Sequence, residues 1–194
     1  MSKIITYLHV RAINACSSQG RLIFGHTHFP CLLGKTGMRF RKHEGDGASP
    51  IGSWQLENLY YRPDKMLRPL SGLNTKPMSE VDGWCDAQGN FAYNRAVKLP
   101  FHASHERLWR NDNAYDLVVT TNHNQRPRIR GFGSAIFFHA IGKNAKSTEG
   151  CIALREKHLR FILNNCSRKT LLIIWPPNGS PPVRQKSPIR HGRN

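Results

Sequence analysis

Apolar residues in this chain come in short runs, each closed by glycine, proline or a polar turn residue, and that punctuation limits what the chain can build. Residues 20–24 (GRLIF) and 29–33 (FPCLL) read as strands on either side of a polar turn, and 54–61 (WQLENLYY) alternates in part. Residues 115–122 (YDLVVTTN), 133–141 (GSAIFFHAI) and 170–175 (TLLIIW) are apolar stretches of strand length. None approaches the roughly 20 apolar residues that would span a bilayer. Helical spacing shows in two places. Residues 155–165 put Leu159, Ile162 and Leu163 on one face. Residues 104–113 (SHERLWRNDN) offer Ser104 as an N-cap, with Glu106 one position short of a capping box. The expectation is a mainly β domain carrying one or two short helices.

Residues 34–53 are dense in glycine and charge and read as loops. Residues 62–90 form a long irregular excursion, and such loops inside compact domains tend to be functional or lid-like. A chain of 194 residues suits one domain. The expected division is an N-terminal segment over 1–19, the domain over 20–175, and an extended basic, proline-rich tail over 176–194. The start holds Lys3 but no long apolar stretch, and Arg11 interrupts it, so no secretory leader is visible.

The formal net charge is +17, and no acid follows Glu156 while cations continue to Arg193. Such a field favours an anionic partner: nucleic acid, anionic lipid or anionic cell-wall polymer. No zinc-finger spacing, RNA-binding aromatic signature or heptad repeat accompanies it, so nothing specifies nucleic acid. The five cysteines are an odd number without a C-x-x-C pair, which leaves at least one free thiol.

One segment gathers chemistry. His139 ends an apolar strand, and Cys151 follows Thr148, Glu149 and Gly150. Cysteine catalysis needs a base in reach, a setting that lowers the thiol pKa, and backbone N–H groups facing the developing oxyanion. A strand-end histidine offers the base. The helix expected soon after Cys151 and the basic surroundings offer the second. Gly150 permits a tight turn that aims an amide, which offers the third.

The residues STEGCIAL, after a strand ending FFH, resemble the signature of YkuD-type L,D-transpeptidases. In that family a histidine precedes a Ser/Thr-x-Gly-Cys-Ile/Val run. The segment GDGASPIG (45–52) is similar to the family's Thr-Pro-x-Gly turn, and 104–119 and 130–139 are similar to one compact branch of it. The resemblance implies a β-sandwich or barrel-like catalytic domain acting on peptidoglycan stem peptides, with no cofactor and no metal. It gives Cys151 as nucleophile and His139 as base, the Ala140 carbonyl orienting the imidazole, and the Gly150 and Cys151 amides as the oxyanion hole. Thr148 and Glu149 then border the substrate. The family often has histidine where Glu149 stands, and commonly arginine where Ala153 stands, so Arg130 or Arg155 is expected to meet the substrate carboxylate. The implied acceptor is an amine on a second stem or a protein, the implied inhibitors are carbapenems, and the implied compartment is the periplasm or cell envelope.

The other candidates read more plainly. His26 and His28 lack a third ligand nearby and read as surface residues. Ser104, His105 and Glu106 are too close in sequence to form a catalytic relay. Trp84, Trp109 and Tyr115 read as core or cleft wall, and Cys31 and Cys166 as structural.

Overall fold

The structure is a computed structural model that describes residues 5–177 and 179. In chain order its elements are β1 (Tyr7–Ala12), β2 (Gln19–Phe24), β3 (Thr27–Leu32), β4 (Met38–Arg39), β5 (Ser49–Pro50), β6 (Gly52–Tyr61), β7 (Asn74–Pro77), β8 (Asp82–Cys85), β9 (Arg95–Lys98), β10 (His105–Arg107), β11 (Leu117–Thr121), β12 (Phe137–Ala140), β13 (Ile152–Leu154), α1 (Glu156–Leu163) and β14 (Leu171–Ile174).

The large sheet runs β11-β12-β13-β3-β2-β1-β14-β6-β7, and β6 pairs back onto β11, so it closes as a barrel with β7 appended beside β6. Closure removes open sheet edges, and with them the unpaired backbone groups that edges present. Most pairings are antiparallel, but β12 and β13 run parallel, as do β1 and β14. A three-stranded sheet, β10-β8-β9, packs outside.

Side-chain alternation divides two cores. Leu117 and Val119 of β11, Phe138 and Ala140 of β12, and Ile152 and Leu154 of β13 point into the barrel core, with α1 adding Leu159, Ile162 and Leu163. Val118, Phe137 and Cys151 point outward into a second cluster with Trp84, Leu108, Tyr115 and Met78. Strands buried on both faces read as continuous apolar runs, as these do in the sequence. The period of two then sends Phe137 and His139 to the outer face, beside Cys151 and Ala153.

Three sequence expectations change here. Residues 104–113 form no helix: His105–Arg107 is β10, whose Glu106 lies opposite Trp84 of β8. Tertiary pairing overrides the weak local cap signal, because the backbone groups of 105–107 are satisfied across the sheet. Within the expected leading segment, residues 7–12 belong to the domain, since β1 sits between β2 and β14 and buries Leu8 and Val10. The 62–90 excursion carries β7 and β8, and Arg62 ties it down through Asp64, the Arg110 carbonyl and the Trp109 ring. The tail expected over 176–194 lies almost wholly outside the described residues.

Candidate active site

Cys151 and His139 line the same cleft, of about 660 Å³, in the outer face of β12 and β13. The parallel register puts His139 beside Ala153, two residues beyond Cys151. Both side chains are nearly buried, at 6% exposure for His139 and 7% for Cys151.

The His139 tautomer follows from its partners. Nδ1 lies 2.7 Å from the Ala140 carbonyl and 3.2 Å from the Ala114 carbonyl. Carbonyls only accept, so Nδ1 carries the proton and Nε2 keeps its lone pair. The Tyr115 ring meets the imidazole edge-to-face at 4.9 Å and fixes its plane. Burial lowers the His139 pKa to about 4, against the pull of the two carbonyls, so the ring is neutral at physiological pH.

The thiol is also neutral. Burial, with the charge of Glu106 adding to it, pushes Cys151 up to about 12. Its Sγ donates to the Ala135 carbonyl at 3.2 Å and accepts from the Phe137 N–H at 3.3 Å. Among the described residues no hydrogen bond joins Sγ to His139. The resting pair is thus thiol and imidazole, not thiolate and imidazolium. Two sequence expectations fail at this point. α1 begins at Glu156, beyond the whole of β13, so its N-terminus does not face Cys151. Nor are the surroundings basic: Lys42, Arg107, Arg110 and Lys143 line the cleft, but so do Glu44, Asp86, Glu106, Asp112 and Glu149.

The turn before the cysteine is closed by its own residues. The Thr148 hydroxyl donates to the Cys151 carbonyl at 2.7 Å and accepts from the Gly150 N–H at 3.1 Å. Gly150 has φ +136°, and a Cβ there would come within 2.7 Å of the Ala48 carbonyl oxygen, so only glycine fits. The Gly150 amide, expected in an oxyanion hole, is therefore engaged with Thr148. The Cys151 N–H has no partner among the described residues and is the amide left for an oxyanion.

Glu149 lines the cleft rim and pairs with Lys35 at 2.8 Å, both well exposed. Arg130 and Arg155, expected as carboxylate partners, are exposed and do not line the cleft. Arg155 instead sits at the N-terminal boundary of α1, a position fixed by the helix start. Of the 62–90 excursion only Asp86 reaches the cleft, with Trp84 in the wall behind it, so it forms no lid over the cleft.

Several residues in the site carried no sequence signal. Glu106 accepts from the Tyr115 hydroxyl at 2.6 Å, and burial raises its pKa. Arg110 is chelated by Asp112 and lies over the Tyr115 ring. Asn94 is 1% exposed and serves as a hub. Its Oδ1 accepts from Trp84 Nε1 and from the amide of Ala135, the residue whose carbonyl holds the thiol; its Nδ2 donates to the carbonyls of His123 and Asn124. Only the long separation-spanning contacts reveal these roles.

No curated protein matches this chain. Residues 19–174 match the family model for YkuD, the L,D-transpeptidase catalytic domain, which spans every strand from β2 to β14, the cleft, His139 and Cys151; the chain belongs to that family.

Proposed function

We propose that this protein is a cysteine acyltransferase acting on peptidoglycan stem peptides, with Cys151 as nucleophile and His139 Nε2 as base. The observation that carries the reading is the imidazole whose Nδ1 is fixed by two carbonyls, in the same cleft as a buried thiol. This mechanism requires the Cys151 side chain to turn from the Ala135 carbonyl, its resting partner, toward Nε2.

On this reading Sγ attacks the carbonyl of the third stem residue as its proton passes to Nε2. The Cys151 N–H donates to the oxyanion. Collapse breaks the C–N bond to the terminal D-alanine, which leaves with the proton from the imidazolium. The thioester is then attacked by an acceptor amine, whose proton passes to Nε2 and on to the departing sulfur. An amine acceptor gives a cross-link or a tether; water gives the tripeptide. No metal or cofactor takes part in this route. A peptidoglycan substrate would be met in the cell envelope, and a carbapenem's strained carbonyl would acylate the same sulfur.

Purified protein is incubated with tetrapeptide muropeptides, with and without an added diamino acid, and the products are read by mass spectrometry. The expected outcome is an exchanged or cross-linked product that Cys151→Ala fails to make. Retained turnover in Cys151→Ala overturns the mechanism, and tripeptide alone in both reactions overturns transfer in favour of hydrolysis.

A further inference from the structure

The cleft contains one nearly buried cation, and it stands against the cysteine turn. Lys42 is 4% exposed and lines the cleft. Its ammonium pairs with the Asp46 carboxylate and donates to the His43 carbonyl at 3.2 Å. Its methylenes pass between two glycines that leave room for them. A Cβ at Gly133 would meet Lys42 Cγ at 2.8 Å, and one at Gly150 would meet Lys42 Cε at 3.3 Å. The charge is therefore delivered next to Gly150 and the Cys151 amide by a route any larger residue would block.

Asp46 is held as firmly. Its carboxylate accepts from the His43 N–H at 2.8 Å and the Ala48 N–H at 2.9 Å. Burial works against its charge, but these bonds and Lys42 outweigh it and keep the carboxyl below its usual range. The same turn continues to Ala48, whose carbonyl abuts Gly150, and to Ser49, whose hydroxyl accepts from the Gly34 N–H and donates to the Cys151 carbonyl. A buried ion pair is a poor source of stability, since desolvating two charges offsets most of their attraction. Its placement calls for another explanation.

We propose that Lys42, held by Asp46, is a positioning residue for the nucleophile, fixing a positive charge against the Gly150–Cys151 turn where sulfur and oxyanion become negative. The inference rests on Cys151 being the nucleophile. The charges of Glu106 on β10 and of the exposed Glu149 on the turn oppose ionisation of the thiol, while Tyr115 and His139 beside it are neutral. Lys42 is the cation that acts in the other direction. Lys42 itself faces Asp46 and His123, the latter neutral through burial. Among the described residues no helix N-terminus reaches the site, so the fixed cation takes that role.

The test is the rate at which neutral iodoacetamide alkylates Cys151, followed by peptide mapping across pH 7–9 in the full chain. There the rate tracks the small thiolate fraction. Lys42→Met keeps the stem and removes the charge; the expected result is a fall of about tenfold at every pH, which corresponds to one pKa unit. Asp46→Asn keeps the shape and removes the opposing charge, so Cys151 alkylation is expected to rise. A merely structural brace moves both variants the same way, because a loosened turn exposes the thiol in each. A shared direction, or an unmoved rate in Lys42→Met, overturns the proposal. Thermal melting identifies a variant that fails to fold, and the other variant's direction then decides: Lys42→Met alone must fall, Asp46→Asn alone must rise. Alkylation is read on the peptide itself, independently of turnover. If Cys151→Ala retains activity while both rates move as expected, it is the assignment of the nucleophile that fails.

Discussion

Alkylation of the resting enzyme at Cys151 should be slow at neutral pH and still climbing at pH 9. Burial, then the charge of Glu106, pushes this thiol up to about 12. An unperturbed thiol with pKa near 8.5 is about 3% thiolate at pH 7. One at about 12 is thiolate in roughly one molecule in 10⁵, some three thousandfold less. Limiting iodoacetamide, with mass-spectrometric mapping of the five cysteine peptides, reads this directly. The exposed Cys16 should be modified first, and the Cys151 rate should rise about tenfold per pH unit without a plateau.

Turnover should follow a different curve. With the imidazole near 4, Nε2 is a free base throughout the neutral range. On the proposed mechanism it takes the thiol proton in the transition state, so no stored thiolate is needed. kcat/KM is expected to rise through an acid limb near pH 4–5 and stay flat to about pH 8. A Cys151 alkylation curve that levels off below pH 8 would mean a preformed thiolate–imidazolium pair, and would refute the reasoning from burial.

Three further perturbations have clear signs. Gly150→Ala meets the Ala48 carbonyl and keeps a strained φ, and chemical denaturation should show a loss of about 2–3 kcal/mol. Asn94→Ala strands the Trp84 N–H, the Ala135 N–H and two carbonyls, and should cost at least about 3 kcal/mol by the same measurement. His123 and His139 are both lowered to about 4 by burial, so the unfolded chain binds more protons than the folded one between pH 6.5 and 4. Stability is therefore full above pH 6.5 and falls toward pH 4, by about 3 kcal/mol for each histidine; urea midpoints that stay constant over that range would contradict it.

The parts of the molecule legible in sequence are those whose signal is local. Strands buried on both faces show as apolar runs, so β11, β12 and β14 stood out, and α1 showed its stripe of Leu159, Ile162 and Leu163. The motif around Cys151 and the strand ending at His139 pointed to one cleft, and Gly150 to a tight turn. What stayed hidden depends on closure. β1 reads as an unremarkable polar start because its outward face carries His9 and Arg11, and only pairing with β2 and β14 gives it a place. Ser104 carries a capping signal, yet the next three residues, 105–107, form β10. Lys42, Asp46, Asn94 and Glu106 lie in separate segments with no periodicity. Their roles arise when the barrel and the outer sheet bring the segments together. The expected lowering of the thiol pKa failed for a related reason: the helix was foreseen, but not the strand β13 standing between it and Cys151.

The charge of the chain has to be separated from the charge of its cleft. A net +17 invites the reading that the site attracts polyanions. The cleft does not share that excess, because its carboxylates slightly outnumber its cations and several are paired: Lys42 with Asp46, Arg110 with Asp112, Lys35 with Glu149. The excess lies elsewhere, including the acid-free stretch after Glu156. A stem peptide, which carries both carboxylates and an amine, suits a mixed lining, whereas a polyanion would be drawn to the outer surface. Salt distinguishes the two, since charges exposed to solvent are screened within about 8 Å at physiological ionic strength and buried pairs much less. kcat/KM for a soluble tetrapeptide is expected to change less than about threefold between 0.05 and 0.5 M NaCl, whereas retention on an anionic polymer matrix should be lost over the same range. A steep fall in kcat/KM on the soluble peptide would show that the long-range field, and not the cleft, recognises the substrate.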